Sequence, residues 1–406
     1  MSLGKDNKIH IGIYGRRNVG KSALINFLSG QNISIVADLP GTTTDPVKRS
    51  FEISGFGPVV FIDTAGIDDK GEIGSLRVQK TLDTTDKIDL AILVFESNIF
   101  GEYEESLIKN FKNLKLPYIL LHSKSDKQIL NIDLYNNLKN NFTKNIIDFS
   151  INSIVKREEI FQLIKKVIPD LSLKNKTLLG DIIKKGDLVL LITPIDAGAP
   201  AGRLILPQVQ TIRDILDNNA ISIVLKQDEV KDFLNKSKIK PDLVITDSQI
   251  FGEISNLIDK NIFLTSFSII LARQKGDFNA YIQGTPHIEN LKDGDKILIL
   301  ESCSHHVSCG DIGREKIPIW LKNYTKKQLS FTVVSGLDSV PGKIQDYALV
   351  VQCGGCVLTK KQVQARLRPA IEAKIPVTNY GMLIAYVNGI FGRAVQVFKN
   401  SENKYL

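Results

Sequence analysis

Short apolar runs separated by amphipathic stretches recur along the chain, and their spacing predicts alternating strands and helices. Ile9 to Tyr14 reads as a buried strand, and Lys21 to Leu28 opens a helix. Val59 to Ile62, Leu90 to Phe95, Tyr118 to Leu121 and Ile146 to Phe149 read as further strands with helical patterns between them. Such alternation predicts a mostly parallel α/β sheet. The polar, weakly periodic stretch from Leu171 to Thr177 predicts a boundary. Beyond it lie strands at Leu188 to Thr193, Ile221 to Leu225 and Leu243 to Thr246, with a helix at Gln208 to Leu216 and a Gly/Ala/Pro loop at 197–202. A third group of strands follows at Ile297 to Leu300, Phe331 to Val334 and Ala348 to Val351. No internal repeat or low-complexity tract appears. The pattern predicts three α/β domains, at 7–170, 177–265 and 266–406.

Length supports that division, because 406 residues exceed one ordinary core. An apolar fraction of 43% and a charged fraction of 24% are ordinary for a soluble protein. No uncharged apolar run reaches the roughly 18 residues of a membrane span, so no membrane is expected. Met1 to Asp6 lacks the apolar core of a secretory signal, which makes the cytoplasm the expected location. The formal charge of +8 comes from lysines spread over the length, often beside Asp or Glu. That spread describes a solvated surface rather than a nucleic-acid face.

Chemistry enters at Gly15-Arg16-Arg17-Asn18-Val19-Gly20-Lys21-Ser22, which matches G-x-x-x-x-G-K-[ST] between a predicted strand and helix. Glycines let the backbone N–H groups close around phosphates, and the helix N-terminus adds partial positive charge. Lys21 is placed to bridge the β- and γ-phosphates, and Ser22 to bind Mg2+. Asp63-Thr64-Ala65-Gly66 follows a strand, so Asp63 suits a Mg2+ contact and Gly66 a γ-phosphate contact. Gly41-Thr42-Thr43-Thr44-Asp45 lies between these elements as a switch loop would, with Thr43 or Thr44 completing the Mg2+ shell. Lys21, Thr43, Thr44 and Gly66 form the candidate catalytic set.

Base choice rests on Ser123-Lys124-Ser125-Asp126, read against the N-K-x-D common in GTPases. Lys124 and Asp126 fit. Ser123 replaces the Asn, at an expected cost in contacts. Ser150 marks the last base-contacting loop, and Asp126 keeps the carboxylate that selects guanine, so GTP is the expected nucleotide. This motif set resembles the translation-factor-type GTPases, and more closely the potassium-dependent group acting in tRNA modification and ribosome assembly. Asn18 and the run Pro40 to Pro46 carry that resemblance. It implies a K+ ion on Asn18 where an arginine finger would otherwise act. Ile67 follows Gly66 where Ras-like proteins carry the water-orienting Gln.

The cysteines change the picture most. Cys303, Cys309, Cys353 and Cys356 are the whole complement, and none precedes residue 303. In a cytosolic chain such clustering, with one C-x-x-C, points to a metal or redox site. Cys303 and Cys353 each follow a predicted strand, so parallel strands would bring them to one sheet edge. Gly354 and Gly355 let the loop wrap a metal centre with N–H groups towards its sulfurs. Two centres fit. Zinc would take Cys303, His305, Cys353 and Cys356. A [4Fe-4S] cluster would take the three thiolates and leave one iron for His305, His306, Cys309, Glu301 or water. Cys309 alone reads as a spare small residue.

Together these features resemble the [FeFe]-hydrogenase maturation GTPase family over essentially the full length. Cys303-Ser-His305, Cys353-Gly-Gly-Cys356, the run Glu301 to His306 and the run Asp311 to Pro318 carry the resemblance. One departure is Gln352, which stands where many members have a His before the C-x-x-C. The resemblance implies a [4Fe-4S] scaffold in the last domain that carries a two-iron precursor, and a middle domain that forms a homodimer. It also implies two radical-SAM maturases and apo [FeFe]-hydrogenase as partners. The competing reading is a tRNA- or ribosome-acting GTPase with a structural zinc.

Overall fold

The computed structural model describes residues 9–29, 38–39, 47–53, 57–64, 84–85, 87–168, 177–194, 204–302 and 311–402. They divide into two compact units, Met1–Asn175 and Lys176–Leu406. The first unit runs β1 (Ile9–Tyr14), α1 (Lys21–Ser29), β2 (Asp38–Leu39), β3 (Val47–Ile53), β4 (Gly57–Asp63), β5 (Leu90–Glu96), α2 (Glu102–Asn113), β6 (Tyr118–Ser123), α3 (Ile132–Asn141), β7 (Ile146–Asp148) and α4 (Ile154–Val167). Its described strands form one sheet in the order β2-β3-β4-β1-β5-β6-β7. The five strands from β4 to β7 in that order are parallel, and β2 and β3 are antiparallel.

Alternation along β5 explains why the central strands read as continuous apolar runs. Ile92 and Val94 enter the core on one face, while Ala91, Leu93 and Phe95 enter the core on the other. Both faces are therefore covered. Each large side chain so buried contributes about 1.5–3 kcal/mol. β3 was not anticipated, because Val47–Ile53 carries Lys48, Arg49, Ser50 and Glu52 and lacks a continuous apolar run. The register matters for the site. Ile13 pairs with Asp63, Glu96 with Ser123 and His122 with Asp148, so the loops that follow share one sheet edge.

The second unit holds two parallel four-stranded sheets. The first, in the order β11-β10-β8-β9, is built from β8 (Leu188–Ile192), β9 (Ile221–Leu225), β10 (Leu243–Thr246) and β11 (Phe263–Ser266). α5 (Leu206–Asp217), α6 (Val230–Ser237) and α7 (Phe251–Leu257) lie between these strands in sequence, and α8 (Phe267–Lys275) and α9 (Phe278–Gly284) follow β11. The second sheet, in the order β13-β12-β14-β15, uses β12 (Lys296–Leu300), β13 (Ser330–Val334), β14 (Leu349–Gln352) and β15 (Val377–Asn379). Its helices are α10 (Ile317–Thr325), α11 (Lys360–Glu372), α12 (Tyr380–Val387) and α13 (Phe391–Glu402). β11 and β15 escaped the sequence pattern because Phe263–Ser266 and Val377–Asn379 offer only two and one apolar positions before polar ones.

These two sheets share one hydrophobic cluster, which joins Leu190 and Val244 to Leu298 and Val350. The last helix also returns to the first sheet. Arg393 in α13 donates to the carbonyl of Ser255 (3.0 Å) in α7 and to those of Ile258 (3.1 Å) and Asp259 (2.7 Å) just beyond it. A shared core and this anchored end explain why residues on both sides of 265/266 form one compact unit.

Candidate functional site

The first site lies on the loop between β1 and α1. Gly15 adopts φ +145°, and a Cβ there would meet the Val94 carbonyl at 2.2 Å, so only glycine fits. Asn18 (φ 62°) and Gly20 (φ 95°) complete the turn around Val19, which is buried. Lys21 is 8% exposed, and its ammonium donates to the carbonyls of Gly15 (2.9 Å) and Arg16 (2.7 Å) within the same loop. The Ser22 hydroxyl donates to Asp63 Oδ2 at 2.6 Å, so the two expected Mg2+ ligands are in contact. Thr64 fastens this edge by donating its hydroxyl to the Ile13 carbonyl (2.6 Å). Thr43, Thr44 and Gly66 lie outside the described residues.

Arg16 and Arg17 differ in exposure, with Arg17 open to solvent. Arg16 makes a bidentate pair with Glu104, at 2.8 and 2.9 Å. The Glu104 side chain is fully buried in the first turn of α2, where it also accepts the Gly101 N–H (3.0 Å). This pair joins the phosphate loop to a helix 88 residues away and had no signal in the motif.

The base side assembles at the same edge. Ser123 is buried, and its hydroxyl donates to the Val19 carbonyl at 2.6 Å. The expected loss from replacing Asn with Ser is therefore partly made good, because Ser123 ties β6 to the phosphate loop. Lys124, in the left-handed region (φ 58°), donates to the Asn18 carbonyl (2.9 Å) and pairs with Glu96. Ser150 donates to Asp126 Oδ1 at 2.8 Å, orienting the carboxylate expected to read guanine. Ser150 thus meets Asp126 from 24 residues away, and Lys124 meets the phosphate loop.

The second site lies at the edge of the last sheet. Leu300 pairs with Gln352, so Glu301 and Ser302 emerge beside Cys353 as the sequence reading required. The Cys353 sulfur accepts from the Ser302 N–H at 3.1 Å, shares a hydrogen bond with the Ser302 hydroxyl at 2.8 Å, and accepts from Gln352 Nε2 at 3.6 Å. Burial pushes the Cys353 thiol up, while hydrogen bonds from Ser302 and the Gly355 backbone pull it down. Cys356 is half-buried in the same loop. Cys303, His305 and Cys309 lie outside the described residues.

A polar shell surrounds this sulfur. Arg366 donates to the carbonyls of Glu301 (2.9 Å) and Val334 (3.1 Å), closing the ends of β12 and β13. Arg314 holds the Glu301 carboxylate at 3.0 Å, with Ser335 as a second partner. Burial lifts the Tyr281 and Tyr380 phenols well above their ordinary value, with Cys353 adding to the effect in both. The hydroxyls of Tyr281 and Tyr380 and the Gln352 carbonyl oxygen are buried without a hydrogen-bond partner among the described residues. A sulfur ringed by donors, with orphaned polar atoms around it, fits a thiolate that ligates a metal centre.

Comparison with known proteins supplies the rest. Residues 178–276 match the hydrogen maturase F dimerization domain, and residues 279–397 match the hydrogen maturase F tetramerization domain. The chain belongs to the hydrogen maturase F family. Residues 10–124 match a GTPase family model described as 50S ribosome-binding GTPase, so the first unit is a P-loop GTPase domain. The tRNA modification GTPase MnmE of Caldicellulosiruptor saccharolyticus is 36% identical over 168 residues, covering 41% of this chain and 35% of that protein. GTPase Der of Wolinella succinogenes is 38% identical over 124 residues, or 30% of this chain and 26% of Der. The chain spans about a third or less of the length of these two relatives. The G domain of the T. maritima FeoB iron transporter is 24% identical, covers 39% of this chain and 98% of that one, and has a TM-score of 0.30.

A tetramerization domain at 279–397 was absent from the sequence reading, which gave that region to the cysteines alone. Assembly faces leave no spaced motif, whereas ligating cysteines do.

Proposed function

We propose that this chain is a GTP-hydrolysing scaffold of hydrogenase maturation. In this reading the first unit binds GTP through Gly15 to Ser22, Lys124, Asp126 and Ser150. Ser22 and Asp63 hold Mg2+, Asn18 holds K+, and Lys21 acts on the phosphates with Thr43, Thr44 and Gly66. Cys303, Cys353 and Cys356 hold a [4Fe-4S] cluster, with His305 as the candidate fourth ligand. Bound there, the cluster supplies an iron with an exchangeable position. The chain's own residues hold the thiolates, through Ser302, Gln352 and the Gly355 N–H, and close the surrounding pocket. The two-iron precursor is cargo, received with the help of two radical-SAM maturases and delivered to apo [FeFe]-hydrogenase. GTP turnover serves as a switch between partner states.

The observation that carries this reading is the Cys353 sulfur, set among three donor side-chain and backbone groups beside the strand that leads into Cys303. The division at 7–170, 177–265 and 266–406 gives the three tasks to three stretches of chain, working in the cytoplasm. Edge strand β9 supports the homodimer, since Ile221 and Val224 are 52% and 40% exposed and a second copy would cover them.

Anaerobic preparation tests the reading. A brown protein with about four iron and four sulfide per chain and an EPR signal on reduction is expected. Cys353→Ser should bleach it while GTP turnover persists. A colourless protein with stoichiometric zinc and salt-sensitive RNA binding would instead select a tRNA- or ribosome-acting GTPase.

A further inference from the structure

α8 ends at Lys275, and its side chain reaches the Cys353–Cys356 loop, 80 residues further along the chain. The ammonium donates to the carbonyls of Gly355 (2.8 Å), Leu358 (3.0 Å) and Cys356 (3.4 Å). Lys275 is 5% exposed. Lysine is almost never so buried unless its charge is compensated. Here three backbone oxygens of one loop accept from its ammonium.

The geometry of the loop gives that charge a task. A trans peptide points its C=O and N–H in opposite directions, and the chain has no cis peptide bond among its described residues. With the carbonyls of Gly355 and Cys356 drawn to Lys275, the N–H groups of Cys356 and Val357 turn away from it. The Gly355 N–H already bonds the Cys353 sulfur. Gly355 itself sits at φ +71°, and the Lys275 Cδ lies 3.8 Å from where a Cβ would be, so stem and loop are packed together. Lys275 belongs to the stretch matching the dimerization domain, and the cysteines to the stretch matching the tetramerization domain.

We propose that Lys275 is a positioning residue of the sulfur site, supplied across the boundary between those two matched stretches. It fixes the peptide planes of 355–358 and sets a positive charge beside the anionic iron–sulfur centre that the cysteines hold. This rests on the cluster reading above. A fixed positive charge favours the reduced, more negative state of the centre, and an ordered loop slows loss of its iron.

The full-length chain is reconstituted anaerobically with iron and sulfide, then titrated by EPR and challenged with a chelator. In Lys275→Met the one-electron equilibrium shifts at least tenfold against reduction, a midpoint about 59 mV lower, and iron is lost at least threefold faster. Lys275→Gln keeps an N–H donor without the charge, so it shows the lowered midpoint with a smaller change in iron loss. It also decides the matter should the Met variant not fold. Unchanged GTP turnover in either variant reports that the first unit is intact. Variants that match the wild type in both midpoint and chelator rate would overturn this placement alone. A wild-type chain that takes up no iron would overturn the cluster reading, and the placement with it.

Discussion

Two lysines, one in each unit, solve the same problem in different ways. Lys21 and Lys275 are both buried, at 8% and 5% exposure, and both give their ammonium hydrogens to carbonyls of a glycine-bearing loop. Lys21 reaches back five and six residues to its own loop, the distance a helix start allows. Lys275 reaches 80 residues, across a shared core. The near one belongs to a motif whose loop exists to hold a phosphate, so its carbonyl partners can be exchanged for phosphate oxygens. The far one is walled in by the loop it supports. A contiguous motif therefore delivers a movable charge, and a tertiary contact delivers a fixed one.

Lys21→Ala is expected to lower GTP turnover by about a hundredfold or more, read as phosphate release. Turnover at the wild-type rate would end the idea of a movable catalytic charge. Next comes the brace behind the loop. Glu104→Ala removes the buried carboxylate that pairs with Arg16. Breaking a fully buried pair costs about 3–5 kcal/mol. The Arg16 side chain is 36% exposed, which places the expected loss in urea unfolding nearer about 2–3 kcal/mol.

Asp126→Asn tests base choice. An amide cannot accept from both guanine N–H groups, so GTP should bind about ten- to a hundredfold more weakly, as for a charged hydrogen bond worth about 1.5–3 kcal/mol. A xanthine nucleotide, with a carbonyl in place of the 2-amino group, should gain relative to GTP in a fluorescence competition. Equal discrimination by both proteins would remove Asp126 from the base site. The smallest effect is expected at Ser123. Ser123→Ala leaves the Val19 carbonyl without its partner, at about 1 kcal/mol, or roughly fivefold in nucleotide affinity.

The legible parts of this molecule are the ones written by neighbours in sequence. Gly15, Gly20, Lys21 and Ser22 must follow a strand and open a helix, and they do. The apolar runs that became β1, β5, β6, β8, β10, β12 and β14 are buried on both faces, so their pattern is strong. β3, β11 and β15 were missed because a strand without a continuous apolar run owes its state to the strands it pairs with. At the sulfur site the cysteines could be picked out by spacing. Ser302, Arg366 and Lys275 could not, since serine, arginine and lysine are common and carry no spacing rule. The same holds for Glu104, which in sequence is one more acid in the first turn of α2.

The α/β class, the phosphate loop, Asp126 as the candidate base-reading carboxylate and the cysteines of the last stretch were all legible along the chain. Each depends on residues within a few positions of one another, or on a residue type as rare as cysteine. Only the tertiary structure decided that Ser123 takes over the bond to Val19, that Arg16 is braced by a buried glutamate, and that the two later sheets share one core. It also decided that a lysine from one matched stretch supports the cysteines of the next. The physical reason is that a buried charge or hydroxyl takes whatever partner the packed fold brings within about 3 Å, and that partner is set by sheet order rather than by distance along the chain.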